Sequence, residues 1–119
     1  MLIYGQLDLI VSASDGLLDS ETSFILDVIP TNDPPTIESI NNQEINEGTS
    51  LIYELSSNDI DGDQLSYSII DINNGATGSF ENDIMTINPV TSAWNGIINI
   101  TISVTDGEYS TFSSFILSV

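Results

Sequence analysis

The sequence contains no lysine, no arginine, no histidine and no cysteine. Each absence excludes something. Without cysteine there is no disulfide and no thiolate metal site. Without histidine the usual general base and the commonest zinc ligand are gone. With lysine missing as well, no nucleophile–base pair of the common kinds can be assembled. A chain with no basic side chain has no footprint for nucleic acid. Anionic membrane surfaces repel it too. Long apolar runs are also missing, and none approaches the length of a membrane helix.

What the chain has instead is acid: 18 Asp and Glu in 119 residues, a formal charge of −18. Ion pairs between side chains cannot form. Carboxylates gathered in one place must be neutralised by solvent, by protonation or by bound cations. The chain is nonetheless 40% hydrophobic. Its Ile, Leu, Val and aromatic residues fall in patterned runs, which argues for a modest folded core and against disorder. The opening MLIYGQLDLIVSAS lacks the basic start and cleavage motif of a signal peptide. It reads as a strand, so a piece of a larger protein is expected.

Residues 1–28 align without a gap to residues 92–119, at an offset of 91, with nine identities. Gly5 matches Gly96, and the pair Asp15-Gly16 matches Asp106-Gly107. The run Ser23-Phe24-Ile25-Leu26 matches Ser114-Phe115-Ile116-Leu117. Internal self-similarity at a fixed period is the mark of tandem repeats. The expected organisation is the final strand pair of a partial repeat (residues 1–29) followed by one complete repeat (residues 30–119). The joint between them is IPTNDPPT, residues 29–36, crowded with Pro, Asn and Asp.

The complete repeat reads as all-β. Ile98, Ile100, Ile102 and Val104 alternate with polar residues, which is the period of a half-buried strand. Leu51-Tyr53-Leu55, Leu65-Tyr67-Ile69 and Phe115-Leu117-Val119 repeat that rhythm. Short strands are expected at 36–40, 78–81 and 84–88, with Asn82-Asp83 as the turn between the last two. Seven strands in some 90 residues predict a Greek-key, immunoglobulin-like sandwich.

Strand parity then places the loops. If strands alternate in direction, the loops after the second, fourth and sixth strands lie beside the joint. The first of these is Asn58-Asp59-Ile60-Asp61-Gly62-Asp63, and the last is Asp106-Gly107-Glu108. With Asn32 and Asp33 in the joint, carboxylates distant in sequence converge at one end. As bare like charges this cluster is costly; around Ca²⁺, which takes six to eight oxygens, it is a binding site. An Asp-Gly pair alone is usually only a turn, but three closely spaced carboxylates rarely serve folding alone. The loop is not an EF-hand. Counted from Asp59, the sixth position is Gln64 rather than Gly and the twelfth is Ile70 rather than Glu.

Taken in order, N-D-P-P at the joint, Glu47-Gly48, D-x-D-G-D before L-S-Y-S, and V-T-D-G before the last strand resemble bacterial cadherin-like repeats. Such repeats occur in tandem in large surface proteins and adhesins. The resemblance implies Ca²⁺ bound between neighbouring repeats of one chain, stiffening the array outside the cell. Carried over by position, the ligands are Asn32, Asp33, Asp59, Asp61 and Asp106, with Asp63 added by the bacterial form of the loop. Glu47 matches a glutamate that serves the following joint, beyond Val119. The joint departs from the cadherin pattern, with Pro30 where an Asp is usual and Pro34 after Asp33, which implies fewer ions or weaker binding.

Two other features offer different functional readings. Trp94, in S-A-W-N-G, could stack on a sugar in a carbohydrate- or ligand-binding module appended to an adhesin or enzyme. The alternative is an aromatic lid on the core, in keeping with how often Trp is largely buried. Asn99-Ile100-Thr101 fits a glycosylation acceptor but lies in mid-strand. For catalysis, a carboxylate pair could serve glycoside hydrolysis, yet nothing marks a cleft. The D-[ST]-G of aspartic proteases is absent, and Thr105-Asp106-Gly107 has the order reversed. The expectation is a non-enzymatic repeat, with any contact to a surface glycan or protein made through other domains.

Overall fold

A computed structural model describes residues 4–119 of the chain. Among them there is no helix, and so none long and apolar enough to cross a membrane. The chain divides into two compact units, Met1–Asn32 and Asp33–Val119.

The first unit is an antiparallel hairpin of β1 (Gly5–Ser14) and β2 (Asp19–Val28). Its turn is set by Asp15. The side-chain Oδ1 accepts hydrogen bonds from the main-chain N–H groups of Leu17 and Leu18, both at 2.9 Å. Those bonds, Leu18 first and Leu17 second, hold the Asp15 carboxyl below the usual carboxylate range.

The second unit carries β3 (Thr36–Ile37), β4 (Gln43–Glu44), β5 (Leu51–Glu54), β6 (Ser57–Asn58) and β7 (Ser66–Ile72). These are followed by β8 (Thr77–Glu81), β9 (Ile84–Asn88), β10 (Ile97–Thr105) and β11 (Ser110–Ser118). One sheet has the order β4-β11-β10-β7. Facing it are β5-β9-β8 and the short pair β3-β6. This is the Greek-key arrangement of an immunoglobulin-like sandwich. The expected first strand, 36–40, is interrupted. β3 pairs with β6, and the chain then crosses to the other sheet, where β4 runs parallel to β11. The second strand is likewise split into β5 and β6.

The alternating residues form the core. Leu51, Met85 and Ile87 from one sheet share a cluster with Ile98, Ile100 and Leu117 from the other, all buried. Asn82 adopts a φ of 53° in the two-residue connection between Glu81 and Ile84. Asn tolerates this left-handed conformation better than most residues do.

Gly78 sits where the sheets meet closely. A Cβ there would lie 2.9 Å from Ile69 Cδ1 and 3.0 Å from Ile87 Cδ1. Ile87 is fully buried and has little room to yield. Gly78→Ala is expected to cost about 1–2 kcal/mol by overpacking. Urea unfolding of the variant against the parent checks this.

A candidate cation site in the loop before β7

The loop between β6 and β7 is built around Asp59. Its Oδ1 accepts the N–H of Asp61 at 2.8 Å and that of Asp63 at 3.4 Å. Its main-chain carbonyl accepts the N–H of Gly62 at 3.1 Å. Gly62 takes a φ of +77°, which a side chain would strain. The D-x-D-G-D spacing thus folds the loop back on its own first carboxylate.

The result is a knot of negative charge. One carboxylate oxygen from each of Asp59, Asp61 and Asp63 lies within 4.8 Å of the others. Asp59 Oδ2 is buried and has no hydrogen-bond donor. The carboxyl of Asp63 is pushed up from its ordinary range, first by partial loss of solvent and then by the charges of Asp59, Asp61 and Asp106. Asp106 therefore lies near enough to be felt, although it belongs to the β10–β11 turn. Its Oδ1 caps that turn, accepting the N–H groups of Glu108 at 2.8 Å and Tyr109 at 2.7 Å.

The joint reaches the same loop through Asp33, whose main-chain N–H donates to Asp61 Oδ2 at 2.7 Å. Asn32 is half-buried and closes the first unit, while Asp33 opens the second. Glu47 is exposed in the β4–β5 connection and accepts a hydrogen bond from Asn95 Nδ2 at 3.3 Å. That places it by the start of β10, whereas Asp106 follows its end. At about 3.3 Å per residue, the length of that strand is roughly 30 Å. Trp94 is half-buried and packs against the core cluster, and its ring lies 3.1 Å from where a Gly96 Cβ would stand.

Two residues outside the expected ligands brace the loop. Ser57 Oγ and Tyr67 OH are hydrogen-bonded, which ties β6 to β7 at the loop's base. The Tyr67 ring stacks on Phe80 with centroids 5.6 Å apart. Tyr67 lies on the inward rhythm of Leu65 and Ile69, and a half-buried tyrosine hydroxyl needs a partner. That need was the signal available in the sequence.

Comparisons with known proteins agree on the fold. The chain is similar to human protocadherin-24 EC1-2, with a TM-score of 0.64 at 14% identity, over 98% of this chain and 67% of that one. It is also similar to an endo-fucoidan hydrolase of glycoside hydrolase family 107, with a TM-score of 0.55 at 17% identity. That match covers 98% of this chain but only 19% of the hydrolase, so the chain spans about a fifth of that protein's length. The titin domains z1z2 in complex with telethonin give a TM-score of 0.50 at 16% identity, over 98% of this chain and 60% of that one. No curated protein sequence matches the chain. A family model for the bacterial Ig domain matches residues 32–116, nearly the whole second unit. The chain belongs to the bacterial Ig domain family.

Proposed function

We propose that this chain is a calcium-binding structural repeat of a large cell-surface or secreted protein, stiffening a tandem array that takes part in adhesion. One observation carries the reading: Asp59 Oδ2 is buried without a donor, beside two further carboxylates. A buried, unpaired carboxylate oxygen is costly. The sequence offers no cationic side chain to relieve it. A bound metal ion or protonation is left to relieve it, and the clustered oxygen donors suit calcium.

Asp59, Asp61 and Asp63 would hold the ion, and Asp106 and Asp33 of the same unit would be the further donors. Calcium would neutralise the loop and fix its path. The ion's contribution in this reading is mechanical, and the protein's own residues supply orientation only. The resemblance to cadherin-like repeats and membership in the bacterial Ig domain family support an extracellular setting.

A second reading makes the chain a carbohydrate- or ligand-binding module beside an enzyme. The likeness to part of a fucoidan hydrolase favours it. Trp94, the residue on which it leans, is engaged with the core and with Gly96.

Calorimetric titration separates the two. Calcium should bind saturably with a Kd of about 10⁻⁴–10⁻³ M. Asp61→Asn should weaken it roughly tenfold, as expected when one charged ligand is lost. Absence of saturable heat up to about 10 mM calcium defeats the proposal.

A further inference from the structure

The hairpin of the first unit reproduces the register and the turn of β10–β11 but not their burial. Its register is the same. Leu7 faces Leu26 and Leu9 faces Phe24, as Ile98 faces Leu117 and Ile100 faces Phe115. Its turn is also the same. Asp15 N–H donates to the carbonyl of Leu18 at 3.2 Å, and Asp106 N–H donates to that of Tyr109 at 3.2 Å. The difference is cover. Leu7, Leu9, Val11, Phe24 and Leu26 are 37–52% exposed, whereas Ile98, Ile100, Ile102, Phe115 and Leu117 are at most 4% exposed.

The two faces of the hairpin also differ from each other. Successive side chains alternate across a strand. Asp8, Asp19, Glu21 and Asp27 therefore all lie on one face, and the opposite face, carrying Leu7, Leu9, Val11, Phe24 and Leu26, holds no charge. In a chain of charge −18, a wholly uncharged face ten residues long is a selective arrangement. In the second unit the matching face is closed by Leu51, Met85 and Ile87 of the opposing sheet.

We infer that the uncharged face of β1–β2 is an open half-core, and that its partner is a β-sheet of the same kind as residues 33–91. The side chains on the open face are close in volume to those they match. Phe24, Leu26 and Val28 are identical to their counterparts, and Leu7 and Leu9 replace isoleucines. Such swaps are tolerated in cores. Val11 for Ile102 and Ala13 for Val104 are smaller, so the fit is slightly loose at the turn end. This inference does not depend on calcium.

The experiment is hydrogen exchange on an extended chain in which a second copy of residues 33–91 precedes Met1. Thr91 then joins Met1 as Thr91 joins Ser92 in the native repeat. Amides of β1 and β2 should exchange about a hundredfold more slowly than in the parent chain, because they open only with the new core. Unchanged exchange in the extended chain overturns the inference. If the added segment fails to fold, an exchange chimera decides, with residues 1–28 standing in place of residues 92–119. Its second unit should fold, with a Tm lowered by no more than about 15 °C. An unfolded second unit overturns the inference. Sedimentation of the parent chain tests the remaining occupant. A dimer that protects β1–β2 and is dissociated by Leu9→Asp would show that a second copy, and not such a sheet, is what the face takes.

Discussion

Replacing Asp59 with Asn inverts an order of stabilities. In EDTA the Asp59→Asn protein melts at or above the parent, and in about 10 mM calcium it melts on the order of 10 °C below it. The first half follows from charge. Asn keeps the Oδ1 that accepts the N–H of Asp61, so the turn survives. It removes a negative charge from beside Asp61 and Asp63, where no cationic side chain compensates. The second half follows from linkage. A ligand at ten to a hundred times its Kd stabilises the state that binds it by about 1.4–2.7 kcal/mol. For a unit of this size, about 1 kcal/mol moves Tm by roughly 4–8 °C. Melting curves of both proteins, with and without calcium, make the measurement. A parent Tm indifferent to calcium, or a variant that responds equally, defeats the reading.

Ile100→Ala is expected to cost about 3–4 kcal/mol and to lower Tm by roughly 15–25 °C. Ile100 is 1% exposed at the centre of the core. Its truncation loses both transfer free energy and packing, because the surrounding strands collapse only partly into the void. Leu9 is its counterpart at the offset of 91 and faces Phe24 as Ile100 faces Phe115. With its side chain 37% exposed, Leu9→Ala should cost less than about 0.5 kcal/mol in the parent chain. Denaturant unfolding of the two variants gives the comparison. Equal penalties would mean that the β1–β2 face is already covered.

Much of this arrangement was legible in the residues, for identifiable reasons. Period-two patterning in Ile98–Val104 and Leu51–Leu55 marks half-buried strands, and these are β10 and β5. The offset of 91 located the hairpin because register and turn are fixed by the residues that repeat, Gly5, Asp15 and Ser23–Leu26. What could not be read was where strands break. Nothing in Thr36–Ile40 signals that the chain leaves β3 and crosses to the other sheet, since that crossing depends on β11 as a partner far along the chain. In the loop, parity brought Asp106 towards Asp59, Asp61 and Asp63, and its charge is felt at Asp63. The main-chain N–H of Asp33 on Asp61 was not foreseeable. Neither was the donorless Oδ2 of Asp59. Both depend on loop geometry that side-chain identities alone do not specify.

The parallel pairing of β4 with β11 has a consequence for how the second unit carries load. β4 lies in the first part of that unit, and β11 ends at its last residues. Leu117 is opposite Gln43 and Ser118 opposite Glu44, and Ile45 N–H donates to the Ser118 carbonyl at 2.9 Å. Tension applied through the two ends of the unit pulls these strands past each other along their length. The bonds between them then resist in shear, all loaded at once, and do not open singly like the teeth of a zip. Under such tension the short ladder at the sheet's edge would act as a clamp.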